Sequence, residues 1–216
     1  MARNIKSWSR AWLVFIAWTV SFLATHAAHA SAKPLILQSP SMSDRYIVFA
    51  YGGEIWRVER SGGEAQVLVA GQGRNSGPIL SPDGQSVAFT GSYDGNSDVY
   101  VVPTIGGNPR RLTFHPAKDE ALGWSADGQR VLFRSLRESS RDLEKLYTIA
   151  KDGGIAAELP LPSGHDGSLN RDSALIAYTP FSQWQAAWKQ YRGGQTSRVW
   201  IAELKTSAIT KIPREN

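Results

Sequence analysis

The chain has 216 residues, with 24 Lys and Arg against 19 Asp and Glu, and it contains no cysteine. The lack of cysteine excludes disulfides, thiolate metal sites and thiol nucleophiles. Three of the basic residues lie within residues 1–30, which leaves 21 basic against 19 acidic side chains in the remainder. This near-balance disfavours nucleic-acid binding, which normally requires a strongly basic surface.

Residues 1–30 have the organisation of a secretory signal peptide. Three basic residues are followed by an apolar run over residues 11–24 and then by Ala28-His29-Ala30. The apolar run is short for a membrane span, and Ala-x-Ala is a typical cleavage site. We therefore expect cleavage after Ala30, export to the periplasm and no membrane association of the mature protein. An uncleaved anchor is the alternative.

From about residue 34 onward, a unit of some forty residues returns four times. One aromatic position recurs at Phe49, Phe89, Phe133 and Tyr178, and a second recurs at Trp56, Tyr100, Tyr147 and Trp200. Several short strands at this period are typical of β-propeller blades. The sequence predicts an all-β propeller with four four-stranded antiparallel blades, at about 34–70, 77–113, 120–161 and 167–212. We interpret the aromatic residues as core that packs blade against blade, rather than as a base-stacking platform.

Each unit contains a tight turn before its second strand. The turns are Ser43-Asp44, Ser81-Pro82-Asp83-Gly84, Ser125-Ala126-Asp127-Gly128 and Asn170-Arg171-Asp172-Ser173. Asp supplies a hydrogen bond to the turn backbone, and Gly supplies a positive φ. In a four-stranded meander these turns and the third-to-fourth connections share one rim, where every connection is short.

The second-to-third connections and the links between blades share the other rim. These connections are expected to lengthen along the chain, from Tyr51-Gly52-Gly53 to residues 91–97, 135–144 and 180–197. Long loops commonly carry recognition, so this rim is the expected working surface. The alternative is that the long loops fill gaps between neighbouring blades.

Three short patterns look like functional motifs and are interpreted as structural. Ser163, His165 and Asp166 are neighbours on one loop, whereas a hydrolase triad needs residues that converge in space. Residues 94–98 begin like a calcium loop but lack the glycine and the final acidic ligand. The glycines between residues 71 and 77 are followed by a proline where a phosphate-binding helix would begin. The sequence thus predicts no cofactor, no metal site and no catalytic residue in this chain.

An aromatic and basic insert occupies residues 181–194. Trp, Tyr and Arg are the residue types that dominate binding hot spots. The candidate substrate-binding residues of the insert are therefore Trp188, Lys189, Tyr191 and Arg192. The alternative is a lid that packs against the blades.

The run Trp188-Lys189-Gln190-Tyr191-Arg192-Gly193-Gly194, with the runs at 44–49, 111–116 and 198–201, closely resembles the first propeller of tricorn proteases and their bacterial homologues. The Ser-Pro-Asp-Gly turns alone are shared with TolB-like and other WD40-like propellers. The resemblance implies a six-bladed propeller, of which this chain supplies four blades. It also implies a parent serine peptidase that trims short peptides, assembles as a hexamer and carries its catalytic residues in later domains.

The same resemblance implies an adjacent Arg pair in an interblade loop that anchors the carboxylate of the substrate. The corresponding link, residues 115–120, carries no such pair, and Arg110-Arg111 falls in a strand. Lys118 is therefore a further candidate substrate-binding residue, beside Arg192.

The sequence leads us to expect a noncatalytic scaffold, the N-terminal propeller of a secreted tricorn-like serine peptidase that guides peptide access or product exit. Its expected partners are peptides and the protease domains of the parent protein. One alternative is a stand-alone periplasmic TolB-like propeller that binds a protein partner without catalysis. Another is the propeller of a prolyl-oligopeptidase-like hydrolase.

Overall fold

A computed structural model describes residues 36–71, 73–138, 143–182 and 197–213, all within the compact unit Ile36–Asn216. This part of the chain contains four four-stranded antiparallel sheets and no helix. The first sheet comprises β1 Gln38–Met42, β2 Tyr46–Tyr51, β3 Glu54–Glu59 and β4 Gln66–Val69. The second comprises β5 Arg74–Leu80, β6 Ser86–Tyr93, β7 Asn96–Pro103 and β8 Arg110–Arg111. The third comprises β9 Asp119–Trp124, β10 Arg130–Ser135, β11 Lys145–Ala150 and β12 Ala157–Glu158, and the fourth β13 Asp166–Leu169, β14 Leu175–Thr179, β15 Trp200–Glu203 and β16 Ile209–Lys211.

The sheets pack face to face in chain order. One buried cluster lies between the first and second sheets, a second between the second and third, and a third between the third and fourth. Within each sheet, every strand pairs with the strand next to it in sequence. Serial packing of four-stranded meanders is the propeller arrangement. The predicted all-β propeller with four four-stranded antiparallel blades is confirmed.

The two aromatic series are paired across strands in every blade. Phe49 lies opposite Trp56, Phe89 opposite Tyr100, Phe133 opposite Tyr147 and Tyr178 opposite Trp200. In the third blade the two rings stack with centroids 5.5 Å apart, and both residues are buried. The first series is buried throughout, so its interpretation as core is confirmed.

The tight turns on the first rim are held by their own side chains. In the second blade the Ser81 hydroxyl donates to Asp83 Oδ1 at 2.5 Å, and the same oxygen accepts the Gln85 N–H at 3.0 Å. These two hydrogen bonds hold the pKa of Asp83 below its ordinary value. The fourth blade has Ser173 at φ 56° where the second and third blades have glycine. We call this edge, with the turns at 43–45, 81–85, 125–129 and 170–174, the short-turn rim.

The opposite edge differs from the expectation in its second blade. β6 continues to Tyr93 and β7 begins at Asn96, so the connection is the two-residue turn Asp94-Gly95 rather than a loop over residues 91–97. Both turn residues have positive φ, as a two-residue hairpin requires. The predicted steady lengthening of these connections is therefore wrong for the second blade. We call this edge the long-loop rim. Of the described residues it comprises the turns 52–53 and 94–95, the segments 136–138, 143–144, 180–182 and 197–199, and the link residues 70–71, 73, 112–118 and 159–165.

Candidate functional site on the long-loop rim

Four charged or titratable side chains from separate elements meet on the long-loop rim of the third blade. Arg134, on β10, forms ion pairs with Glu120 of β9 and with Glu144, and its distance to Glu144 is 3.3 Å. The guanidinium also donates to the carbonyl oxygen of His165 at 3.0 Å. The network therefore ties the third blade to the link that enters the fourth.

The contacts of the His165 ring indicate which of its two nitrogens carries the hydrogen. Nδ1 faces Glu144, while Nε2 lies 3.2 Å from Nη1 of Arg134. Because a guanidinium can only donate, Nε2 accepts and Nδ1 carries the hydrogen that points to Glu144. Neither ring nitrogen contacts Ser163 or Asp166, which agrees with the structural interpretation of that sequence pattern.

Lys118 is the one candidate substrate-binding residue that the structure describes. Its side chain is 62% exposed and its amine pairs with Glu120. Burial opposes ionisation of Glu120, but the hydrogen bond from Lys118 and the charge of Arg134 together lower the pKa of this carboxyl. Lys118 thus stands at the edge of the charged network with most of its surface open to solvent. The other candidates, Trp188, Lys189, Tyr191 and Arg192, lie outside the described residues.

Two further ion pairs involve carboxylates that are themselves buried. The Arg111 guanidinium donates to Asp98 at 2.7 Å, and Arg137 donates to Asp119 in the next blade. Burial raises the pKa of Asp98 and outweighs the neighbouring Arg111, and the charge of Asp119 adds to the rise. The Arg110 side chain pairs instead with Asp152, at 3.2 Å. Arg110 and Arg111 therefore bind separate carboxylates and do not act as a pair.

The link between the second and third blades is held rigidly by local hydrogen bonds. Asn96 donates to the carbonyl of His115 at 2.8 Å, and His115 Nδ1 accepts the N–H of Ala117 at 3.0 Å. Phe114 is 72% exposed, and its ring carries the Arg111 guanidinium 4.7 Å from its centroid. The link therefore presents an aromatic side chain to solvent on the long-loop rim.

Sequence reasoning missed the network of Glu120, Arg134, Glu144 and His165. A signal was available, because each residue stands at the rim end of its strand or link and Arg134 lies in sequence between two glutamates. The four residues are far apart in sequence, so the sequence alone did not indicate that they are in contact. Among the described residues, no group of three or more acidic or histidine side chains could hold a metal ion. The described residues likewise include no helix with the length and apolar character needed to cross a membrane.

Comparisons with known proteins place this architecture in a family. Residues 34–216 match the family model described as the tricorn protease N-terminal beta propeller domain. The tricorn protease homolog 1 of Streptomyces coelicolor is 30% identical over 171 residues, which cover 79% of this chain and 16% of that protein. The chain thus spans about a sixth of the length of this relative.

Solved structures agree with the fold. A crystal structure of the tricorn protease superposes with a TM-score of 0.68 at 20% identity, covering 84% of this chain and 18% of that chain. The crystal structure of TolB from Acinetobacter baumannii gives a TM-score of 0.65 at 22% identity, covering 82% of this chain and 43% of that chain. At these identities the structures support the propeller fold alone, whereas the family model covers the whole of the chain beyond residue 33. The chain belongs to the family of tricorn protease N-terminal β-propeller domains.

Proposed function

We propose that this propeller is a noncatalytic part of a secreted, tricorn-like serine peptidase, in which the long-loop rim guides peptides toward the active site or products away from it. The observation that carries the proposal is the family match over residues 34–216. The parent peptidase activity, and its assembly as a homo-oligomer with downstream protease domains, are part of the proposal.

The chemistry of the rim supports a role in binding peptides. It combines an exposed aromatic ring at Phe114 with the largely exposed side chain of Lys118. Aromatic and cationic side chains on a rigid base suit short peptides, because little conformational entropy is lost when the peptide binds. The insert that contains Trp188 and Arg192 lies in sequence between β14 and β15.

Peptide binding tests the proposal directly. We expect short peptides with free C-termini to bind the chain more tightly than their amides, and Arg192→Ala or Lys118→Ala to weaken binding. Calorimetric titration of wild type and variants supplies the affinities. Equal affinities across all peptides and variants would remove the proposed role.

Export is a separate step of the proposal, and it has its own test. The basic, apolar and small-residue segments of residues 1–30 support cleavage after Ala30. Expression of the full reading frame in a Gram-negative host, followed by fractionation, should give a periplasmic protein whose N-terminal sequence begins at Ser31. A cytoplasmic protein that retains Met1 would contradict export.

The likeness to TolB favours one alternative, a stand-alone propeller that binds a protein partner. The reading frame beyond Asn216 separates the candidates. A PDZ-like module and a serine protease core support the proposed function, whereas a stop after six blades supports the TolB-like module. A Gly-x-Ser-x-Gly elbow would instead indicate a prolyl-oligopeptidase-like hydrolase.

A further inference from the structure

A cavity of about 500 Å³ opens on the long-loop rim between the first and second blades. It lies beside the two-residue turn Gly52-Gly53 of the first blade. Its lining comes from the beginning of β1, the β2–β3 turn and the beginning of β5. The volume is in the range of small-ligand sites.

Arg74 gives this cavity its charge. The residue is exposed, and none of the described residues forms an ion pair or hydrogen bond with its guanidinium. The other described arginines that point to this rim from β8, β10 and the third blade's loop are each neutralised by a carboxylate, as seen for Arg111, Arg134 and Arg137. The described residues that line the cavity include no acidic side chain. Arg74 therefore supplies an uncompensated positive charge inside a concave surface.

The backbone around Arg74 is held in place. Asn75 is 1% exposed; its amide donates to the Gly53 carbonyl at 3.1 Å, and its oxygen accepts the Tyr93 hydroxyl. A Cβ on Gly73 would lie 2.3 Å from the Ser92 carbonyl oxygen, so only glycine permits this approach of the chain to β6. The arginine is thus presented from a fixed base rather than from a free loop.

Polar and apolar groups around the charge suit a small organic acid. The lining includes the polar residues Gln38 and Tyr51 and the apolar residues Ile36 and Ala50. A guanidinium binds carboxylates through two parallel hydrogen bonds. We propose that this cavity is a carboxylate-binding site in which Arg74 binds the anion. The carboxylate comes either from a peptide C-terminus or from an acidic side chain.

The peptide form of this proposal rests on the proposed function, and the experiment separates the two. Three kinds of probe are titrated calorimetrically into the full chain. The first is an acetylated alanine tripeptide with a free or an amidated C-terminus, and the second is an amidated tripeptide with a central Glu or Gln. The third is N-acetylglutamate, a carboxylate that is not a peptide.

The variants are Arg74→Gln, Arg74→Lys and a matched control. Arg171→Gln makes the same chemical change at an exposed arginine of the short-turn rim, outside this cavity. Arg74→Gln should weaken carboxylate binding at least ~10-fold, the loss expected for a charge-assisted hydrogen-bond pair. Arg74→Lys should recover only part of the affinity, and Arg171→Gln should leave it unchanged. Because Arg74 has no partner among the described residues, all variants should melt near the wild-type temperature.

Each result is decisive. Tighter binding of the free C-terminus identifies a terminal carboxylate, and tighter binding of the Glu peptide identifies an acidic side chain. Peptide binding that is equal in wild type and Arg74→Gln overturns the cavity assignment and leaves the peptide-guiding role standing. Arg74-dependent binding of N-acetylglutamate without any peptide binding supports the cavity and removes the peptide-guiding role. No binding of any probe overturns the carboxylate site.

Discussion

At the scale of single residues, Arg137 holds the third blade together on the long-loop rim. Its guanidinium donates to the fully buried Asp119 and lies 5.1 and 5.2 Å from the ring centroids of Phe133 and Tyr147. The Tyr147 hydroxyl donates back to the Arg137 carbonyl at 3.0 Å. Burial, and then the charge of Glu158, raise the pKa of Tyr147 to about 12, so this hydroxyl remains a donor at physiological pH.

Removing the cation should therefore be costly. Arg137→Met keeps an unbranched stem over the rings but leaves the Asp119 carboxylate buried and unpaired. We expect the free energy of unfolding to fall by about 3–5 kcal/mol, the usual cost of breaking a buried ion pair. Urea denaturation measures it. The double variant Arg137→Met with Asp119→Asn should recover part of the loss, and simple additivity of the two single changes would contradict this account.

The turn carboxylate of Asp83 predicts a pH dependence. Asp83→Ala removes the acceptor of the Ser81 hydroxyl and the Gln85 N–H, so stability should fall by about 1 kcal/mol at neutral pH. The pKa of Asp83 is lower in the folded protein than in the unfolded chain. The stabilisation is therefore fully present above the unfolded-state pKa and is lost as the pH falls through the folded-state pKa. Unfolding free energies of wild type and variant should therefore converge at acidic pH.

The matched control is Asp44→Ala. Asp44 occupies the corresponding turn of the first blade, where the Ser43 hydroxyl accepts the backbone N–H groups instead. Among the described residues its one partner is Arg60, at 3.8 Å between two exposed side chains. A loss in Asp44→Ala equal to that in Asp83→Ala, or a constant difference across pH, would remove the turn explanation.

At the scale of elements, the second hairpin shows why its strands extend further than the sequence suggested. Gly91 looks like a loop residue, but it lies within β6 because the rings of Tyr93 and Tyr100 cover the place of its missing side chain. A Cβ at this position would lie 2.6 Å from the Tyr93 ring and 2.9 Å from the Tyr100 ring. Glycine here allows aromatic packing in a strand.

Gly91→Ala tests this packing. The added methyl group must displace one of two packed rings, so we expect a loss of about 1–3 kcal/mol in the free energy of unfolding. Gly123→Ala is the control, because it also lies in a strand and its Cβ would meet nothing closer than the Leu132 Cδ2 atom, at 4.0 Å. Equal effects of the two substitutions in thermal or urea unfolding would contradict the ring-packing explanation.

The sheets could be predicted because they repeat along the chain. The long-loop rim was harder to predict, because its connections and ion pairs do not repeat. The spacing of the aromatic residues identified cross-strand partners such as Phe133 and Tyr147, because the same period serves every blade. The turn at Asp94-Gly95 was missed although Asp-Gly is a strong hairpin signal, since the neighbouring Gly91 suggested a longer loop. The ion pairs of Arg134 could not be predicted. They join elements that become neighbours only when the blades pack, and the sequence repeat gives no information on these contacts.

At the scale of the whole segment, the fourth blade exposes a face that the other blades bury. Leu132 and Leu146 of the third blade pack against the fourth and are 0% exposed. Each of these leucines directly precedes a residue of the aromatic pair in its blade. The residues that precede the aromatic pair of the fourth blade are Ala177 and Val199. Ala177 is exposed and Val199 is 46% exposed. This face has the composition of a blade-to-blade contact and no sheet over it among the described residues.

An uncovered face of this kind should make the isolated segment self-associate. Sedimentation from micromolar to submillimolar protein should show a mass that rises with concentration, because apolar sheet faces are buried between copies. Val199→Lys places a charge on the exposed face and should suppress association without loss of folding. Leu146→Lys, at the matching buried position of the third blade, should instead unfold the segment, since a lysine cannot be paired there. A monomer at every concentration for the wild type would show that this face is stable in water, and the expectation of further blades would lose its physical support.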